Sequence, residues 1–302
     1  MKRWIGYLAG AVILGATAAY FSSVTSGHWA ELLQWRERFQ PLPFFVAVSL
    51  LILYHSFLAW LFGRWLGLLG GSLAWARSFK VIYISQMARF LPGGIWGYAG
   101  QVYLGAQQGV PASTVMIASG AHALLNVITG IILALLLIPK AGMMGTTWNL
   151  APVLLMGTAA AAVLLPGGVR FFQRRLCAGS TRTEGDGRIG FRSLCGLSLL
   201  YSLHWVLYGL AFWFYLRSLD VASQLSFGSA LGALAGAGVM GLIVPFVPGG
   251  LGVREGTLAF LLQPALAAPD AAFVSLFSRV WLLFADLICF GIALCLNPRH
   301  RR

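Results

Sequence analysis

The chain has 302 residues, 59% of them hydrophobic and only 10% charged, with a mean hydropathy of +0.80. A soluble domain carries about 25% charged residues, so this composition excludes one and describes a polytopic membrane protein. The net charge of +13 is read as a bias of cytoplasmic loops or a contact with anionic lipid, not as a nucleic-acid footprint, because neither a recognition motif nor a solvated basic domain accompanies it.

The first apolar run spans 4–22. Lys2 and Arg3 before it and Ala16-Thr17-Ala18 near its end imitate a secretory signal, but its removal would break the symmetry described below, so it is read as the first membrane helix. Segment 23–41, with Trp29, Trp35, Arg36, Glu37 and Arg38, has the composition of a short interfacial helix on the outer side. A second apolar run covers 42–62. Next comes 78–108, where Lys80, Ser85, Gln86, Arg89, Gln101, Gln107 and Gln108 flank Pro92-Gly93-Gly94. Proline lacks an N–H and glycine accommodates positive φ, so this tripeptide ends a helix and turns the chain. Each flank is too short and polar to cross alone, and the pair is predicted to be two half-helices forming a re-entrant hairpin, whose open backbone must be met by protein or a water-filled cavity.

The third and fourth apolar runs, 112–138 and 149–166, precede the hydrophilic linker 167–192, whose only acids are Glu184 and Asp186. That linker is read as a cytoplasmic loop, with a lipid-headgroup contact strip as the alternative. The fifth run is 193–216. Segment 226–266 then carries Pro248-Gly249-Gly250; its first arm is apolar and long enough to span, so the hairpin reading there leans on the repeat. The sixth run is 271–297.

Phe90-Leu91-Pro92-Gly93-Gly94-Ile95-Trp96-Gly97 recurs loosely as Phe246-Val247-Pro248-Gly249-Gly250-Leu251-Gly252-Val253. Each half, 1–140 and 141–302, therefore reads helix, helix, hairpin, helix, and three crossings per half invert the second copy. The expected fold is all-α, with about six spanning helices and two re-entrant helical hairpins in an inverted repeat, the arrangement of transporter-like sites at a repeat interface. With the N-terminus inside, 14 Lys and Arg fall in cytoplasmic segments (2, 3, 64, 77, 80, 170, 174, 175, 182, 188, 192, 299, 301 and 302) against four outside (36, 38, 140 and 217). This predicts N-in and C-in, the first hairpin entering from the cytoplasm and the second from the opposite face. Full crossing by both hairpins preserves the same loops, so six and ten spans both remain open.

Three arginines stand in apolar surroundings: Arg89 before the first Pro-Gly-Gly, Arg254 after the second, and Arg279 within the last helix. Charge inside a membrane costs several kcal/mol and normally faces a cavity with a partner. Guanidinium holds phosphate bidentately, and half-helix N-termini at a hairpin tip favour the same anion. Against this stands internal pairing with Glu255 and Asp286, or snorkelling to an interface. His122 lies 30 residues after Pro92 and Arg279 lies 31 after Pro248, so the halves place polar residues at matching depths. Asn126 follows one turn after His122, Asp286 two turns after Arg279, and Gln101 of the first hairpin joins the candidate set. Singly, each such residue is helix-packing glue as readily as a ligand; together they argue for a polar interior.

Gly228, Gly232 and Gly236 form a GxxxGxxxG stripe for close helix approach, within the monomer by default or in a homodimer. Trp4, Trp60, Trp65, Trp75, Trp96 and Trp148 mostly lie near predicted helix ends, as an interfacial belt does. Cys177, Cys195, Cys289 and Cys295 form no CxxC pair, so neither a disulfide framework nor a metal site is expected. No nucleophile elbow, HExxH, P-loop or dinucleotide fingerprint is present, and the chain is expected to be neither an enzyme nor cofactor-dependent.

Pro92-Gly93-Gly94 with Trp96, Gly97 and Gly100, and above all Phe246-Val247-Pro248-Gly249-Gly250-Leu251-Gly252-Val253-Arg254-Glu255-Gly256, give the resemblance. Over nearly its whole length the chain resembles the lysylphosphatidylglycerol synthase transmembrane family, the lipid-flippase-like region of multiple-peptide-resistance proteins and of many stand-alone bacterial and archaeal membrane proteins. The resemblance implies a role in moving or binding a phospholipid or polyprenyl-linked lipid across the inner membrane. Bifunctional relatives continue into a soluble acyltransferase-like domain; this chain stops at Arg302, so synthase activity is expected to be absent. Two functions are open. One is a flippase or scramblase in which Arg89, Arg254 and Arg279 receive an anionic headgroup and Glu255 and Asp286 hold those charges in the empty site. The other is a non-transporting accessory subunit or scaffold that presents lipid to a separately encoded glycosyltransferase or lipid synthase.

Overall fold

The computed structural model describes residues 37–90, 95–138, 191–244 and 247–296, with isolated positions 15, 19, 22 and 23. Apart from those isolated positions, the predicted crossing 4–22 lies outside the described residues, as do the crossing 149–166, the Pro92-Gly93-Gly94 turn, residues 24–36, nearly all of segment 167–192 and the side chain of Arg89.

Eight α-helices and no strands make up the described residues: α1 Pro41–Leu68, α2 Trp75–Gln86, α3 Trp96–Gln107, α4 Ala112–Leu137, α5 Phe191–Ser218, α6 Phe227–Ile243, α7 Val253–Leu262 and α8 Ala268–Cys295. The protein is an all-α polytopic membrane protein. Helices α1, α4, α5 and α8 are long and apolar enough to cross a bilayer, matching four of the six predicted crossings to within a few residues. Large apolar side chains such as Phe45, Leu53, Leu135, Leu199, Phe284 and Leu294 point outward from them. Water would oppose such a surface; lipid does not.

The other four helices are shorter. At 1.5 Å per residue, α2 and α3, with 12 residues each, reach about 18 Å; α6, with 17, reaches about 25 Å, and α7, with 10, about 15 Å. All fall below the roughly 30 Å of a hydrocarbon core. These lengths are compatible with half-helices, and also with the apolar α6 crossing at a thin point.

Packing follows an exchange of α1 with α5, α2 with α6, α3 with α7 and α4 with α8. The pairs α1–α2 and α5–α6, α2–α3 and α6–α7, α3–α4 and α7–α8, α2–α8 and α6–α4, and α1–α8 and α5–α4 all form, while α1 packs along α5. The α1–α4 contact has its counterpart in the Tyr215 hydroxyl on α5, which donates to the Val274 carbonyl on α8 (2.6 Å). Helix ends match as well. α1 and α5 both close on a left-handed residue, Gly70 (φ 81°) and Asp220 (φ 56°), with N–H groups returned to the carbonyls of Leu66 and Leu216. The two short 3₁₀ turns Met87–Phe90 and Pro248–Gly250, which follow α2 and α6, touch each other.

The glycine stripe of α6 is spent inside the chain. A Cβ on Gly232 would come within 2.6 Å of the Leu137 carbonyl carbon, and one on Gly236 within 3.0 Å of Leu261. Of the predicted tryptophan belt, Trp60, Trp75 and Trp96 are exposed, whereas Trp65 is fully buried and donates to the Tyr201 hydroxyl (3.1 Å). Trp65 is an interior packing residue, because α1 extends to Leu68 and carries it inward between α2 and α5.

Candidate functional site

A cavity of about 200 Å³ is lined by residues of α1, α2, α4, α5, α6, α7 and α8 and by Gly249 of the second 3₁₀ turn. Polar groups gather there although every long helix in its wall is apolar in composition: Gln86 from the end of α2, Gly249 from the second turn, His55, Asn126, Arg254, Arg279 and Asp286. Aromatic walls come from Tyr54 on α1 and from Trp205 and Tyr208 on α5, with Tyr54 stacked on both Tyr208 (4.5 Å) and His204 (4.4 Å).

The second Pro-Gly-Gly builds the charged side of this cavity. Gly249, Gly250 and Gly252 all take positive φ, so the chain reverses within five residues and delivers the start of α7 to the cavity. Gly250 also lies against α6: a Cβ there would come within 2.7 Å of the Gly241 carbonyl oxygen. Three residues into α7, the Glu255 carboxylate turns back and accepts from the Gly252 N–H (2.7 Å), which satisfies a first-turn donor and places a negative charge at the positive helix end.

Glu255 also meets Arg279 of α8 (Nη1 to Oε1, 3.3 Å) and lies 3.8 Å from Arg254 Nη1. Arg279 Nη1 donates in addition to the Gly249 carbonyl (3.1 Å), which fastens the turn to α8. Arg254 differs from Arg279. Only 7% exposed, it reaches the Tyr208 hydroxyl through Nη2 at 3.3 Å, and its buried Nη1 has no hydrogen-bond acceptor among the described residues. It is a desolvated guanidinium on a cavity wall, with donor capacity left for an anion.

Also lining the cavity, His55 and Asp286 approach within 3.8 Å (Nε2 to Oδ1). The other ring nitrogen of His55 meets the Cys289 thiol at 3.4 Å.

The structure thus brings together Arg254, Arg279, Asn126, Asp286 and Gly249, with Glu255 and Gly250 directly behind. Other candidates lie elsewhere. His122 sits one turn before Asn126 but hydrogen-bonds Tyr201, and its ring packs edge-on against Phe62. Gln101 is half-buried on α3 and does not line the cavity. Arg89 belongs by its backbone to the turn that touches Pro248–Gly250. Sequence reasoning passed over His55, Tyr54, Tyr208 and Trp205, and read Gln86 only as a polar flank of the first hairpin. For His55 a signal existed, an ionisable group in the middle of a 28-residue apolar helix, which marks a functional position by default.

Comparison with known proteins gives one family. A family model described as the lysylphosphatidylglycerol synthase TM region matches residues 4–289. No curated protein and no solved structure matches the chain. The match covers most of the sequence, and the chain belongs to this family.

Proposed function

We propose that this member of the lysylphosphatidylglycerol synthase TM family is a flippase- or scramblase-like transporter that carries an anionic phospholipid or polyprenyl-linked lipid across the cytoplasmic membrane, its headgroup passing through the cavity beside the second turn. The family indicates a lipid-related membrane role. The observation that carries the finer reading is Arg254, which is buried on the cavity wall, where its Nη1 has no hydrogen-bond acceptor among the described residues and its guanidinium suits a phosphate. Glu255 and Asp286 balance the guanidinium charges while the site is empty. The exchange pattern of helix contacts supports two repeats, 1–140 and 141–302, and a repeat interface is where transported ligands bind.

Reconstituted vesicles test this. Translocation of a fluorescent phosphatidylglycerol is expected to fall at least tenfold in folded Arg254→Ala. Arg254→Lys, which keeps the charge and loses the fork, should impair it more than Arg182→Lys in the hydrophilic linker does. Unchanged binding and translocation in Arg254→Ala leave structural pairing with Glu255 as its role. In that case the accessory-subunit reading, in which the chain presents lipid to a separate enzyme, is preferred.

The proposed orientation is N-in and C-in, from the 14 to 4 distribution of basic residues. Single cysteines at Ser180 and Ser26, in a variant lacking the native four, should label from opposite faces of intact cells. Labelling of both from outside overturns the inverted arrangement.

A further inference from the structure

A second, apolar space adjoins the polar cavity. A groove of about 880 Å³ runs between α3, with Tyr98, Val102 and Tyr103, and α4, with Met116, Ser119, Gly120 and Ala123. Its lining on α4 extends from Ala112 to Leu124, about 18 Å at 1.5 Å per residue, and one leaflet contributes about half of a roughly 30 Å hydrocarbon core. The groove is long enough for the apolar depth of one leaflet. At Gly120 it is open, since a Cβ there would meet no atom within 4 Å.

The two spaces share one face of one helix. Met116, Gly120 and Ala123 of the groove and Val127 of the polar cavity follow one another at intervals of four, three and four residues, which makes them neighbours along a single stripe of α4. An amphiphile held by its phosphate in the cavity has a path for a hydrocarbon chain along that stripe.

One polar group interrupts the apolar lining. Ser119 is 2% exposed, and its hydroxyl has no hydrogen-bond partner among the described residues. A hydroxyl in an apolar helix is usually satisfied by the carbonyl one turn earlier, as in Ser85 to Val81 (2.7 Å), Thr129 to Leu125 (2.7 Å) and Ser202 to Ser198 (3.1 Å). Ser119 lacks that bond, and a buried hydroxyl left unpaired is costly. Its height fixes what could meet it. α6 runs antiparallel along α4, with Gly232 against Leu137 and Val239 against Gly130, so Gly241 and the Arg254 packed on it lie near the level of Asn126. Ser119 comes seven residues before Asn126, about 10 Å along the axis. In a glycerophospholipid the glycerol backbone separates phosphate oxygens from ester carbonyls by a comparable reach, once a hydrogen bond is added at each end. An ester carbonyl accepts and has no proton of its own.

We propose that the α3–α4 groove seats an acyl chain of the lipid whose phosphate occupies the polar cavity, with the Ser119 hydroxyl donating to the ester carbonyl that joins the chain to glycerol. The inference rests on the anion-site reading above and sharpens its substrate. A diacyl glycerophospholipid engages both parts of the site, whereas a polyprenyl phosphate has no ester to offer Ser119.

Lipid binding to the purified full chain in a non-ionic detergent tests this. The probes are dimyristoyl phosphatidylglycerol and its diether analogue, which keeps headgroup and chain length and lacks both carbonyls. Wild-type protein is expected to bind the diester about two- to tenfold more tightly, the worth of one neutral hydrogen bond. Ser119→Ala should lower the diester to the level of the diether and leave the diether within about twofold. Gly120→Leu, which fills open groove at a helical position where leucine is favoured over glycine, should weaken both lipids roughly tenfold. Equal wild-type affinity for the two lipids overturns the proposal, as does a Ser119→Ala loss that is the same for both, or unchanged affinity in Gly120→Leu. Arg254→Ala separates this outcome from failure of the anion site: if it weakens binding while the groove variants do not, the groove assignment alone falls, and if it too changes nothing, both fall. A photoreactive side chain identifies the occupant directly. Tyr103→p-benzoylphenylalanine, irradiated in native membranes, should form an adduct with a lipid; a crosslink instead to residues 4–22 or 149–166, or to a second copy of the chain, shows the groove filled by protein and overturns the proposal.

Discussion

The two short-helix pairs obey one contact scheme and are anchored by different means. In α6–α7, ten of the 17 residues of α6 are buried, and the turn is fixed by Gly250 against Gly241 and by the Glu255 carboxylate, which ties the start of α7 to Arg279 of α8. In α2–α3, the first arm packs inward, but Gly105 is the only buried residue of α3. That arm leans on two glycine contacts, Gly100 on Ser85 and Gly105 on Val115, and with α4 it borders an apolar groove of about 880 Å³. Similar Pro-Gly-Gly sequences therefore do not confer similar roles. The second pair presents buried charge at a fixed position, whereas the first contributes an apolar, largely uncovered arm.

The largest expected effect removes the ionic anchor. Glu255→Ala leaves Arg279 and Arg254 without their shared carboxylate and the Gly252 N–H without its acceptor, and breaking a buried pair from one side costs about 3–5 kcal/mol. Denaturant unfolding of the purified protein should show a loss of this size. The double variant Glu255→Ala, Arg279→Met should cost less than the two single changes added together, since each removes the other's partner. A single-variant loss below about 1 kcal/mol would mean that α7 is held by apolar packing alone, and the contrast between the pairs disappears.

Much of this arrangement was legible in the sequence, for identifiable reasons. Arg254, Glu255, Arg279 and Asp286 stand out because a charge in an apolar segment is costly, and the structure collects them around one cavity. The boundaries of α1, α4, α5 and α8 follow from runs of apolar residues ended by Pro, Gly or polar groups. Which face of each helix turns inward was not legible. α1 buries Leu51, Leu61 and Leu66 while exposing Leu42 and Leu53, because lipid is as acceptable to leucine as the interior is, and the periodicity that separates inside from outside in water is lost. His55 and Tyr208 therefore passed as ordinary members of apolar helices. His122 was grouped with Asn126 by helical spacing, yet it engages Tyr201 of α5, and only the position of α5 decides that.

A smaller effect is expected at the second turn. Gly250 combines φ of 65° with a Cβ position 2.7 Å from the Gly241 carbonyl oxygen and 2.9 Å from its Cα. The left-handed conformation alone costs an alanine roughly 1–2 kcal/mol, and the obstruction is backbone of α6, which cannot rotate aside. Gly250→Ala should destabilise by about 2–3 kcal/mol and weaken phosphatidylglycerol binding, because the displaced turn carries the carbonyl that holds Arg279. Wild-type stability in this variant would show that the turn is loosely seated, in which case Glu255 alone distinguishes the second pair from the first.

The smallest effect is expected at the matching close contact of the first pair. A Cβ on Gly105 would lie 2.8 Å from Val115 Cγ2 and 3.0 Å from Cγ1, as tight as at Gly250, but the obstacle is a side chain and the glycine sits in ordinary helix. α3 has more room to shift outward than α7, since Gly105 is its one buried residue. Alanine also gains about 1 kcal/mol of helix propensity over glycine, which offsets roughly half of the 1–3 kcal/mol that overpacking costs. Gly105→Ala should therefore unfold within about 1 kcal/mol of wild type, while Gly250→Ala does not. Equal losses at the two positions would show α3 to be held as firmly as α7, and the first pair would then be a second fixed wall rather than the looser arm.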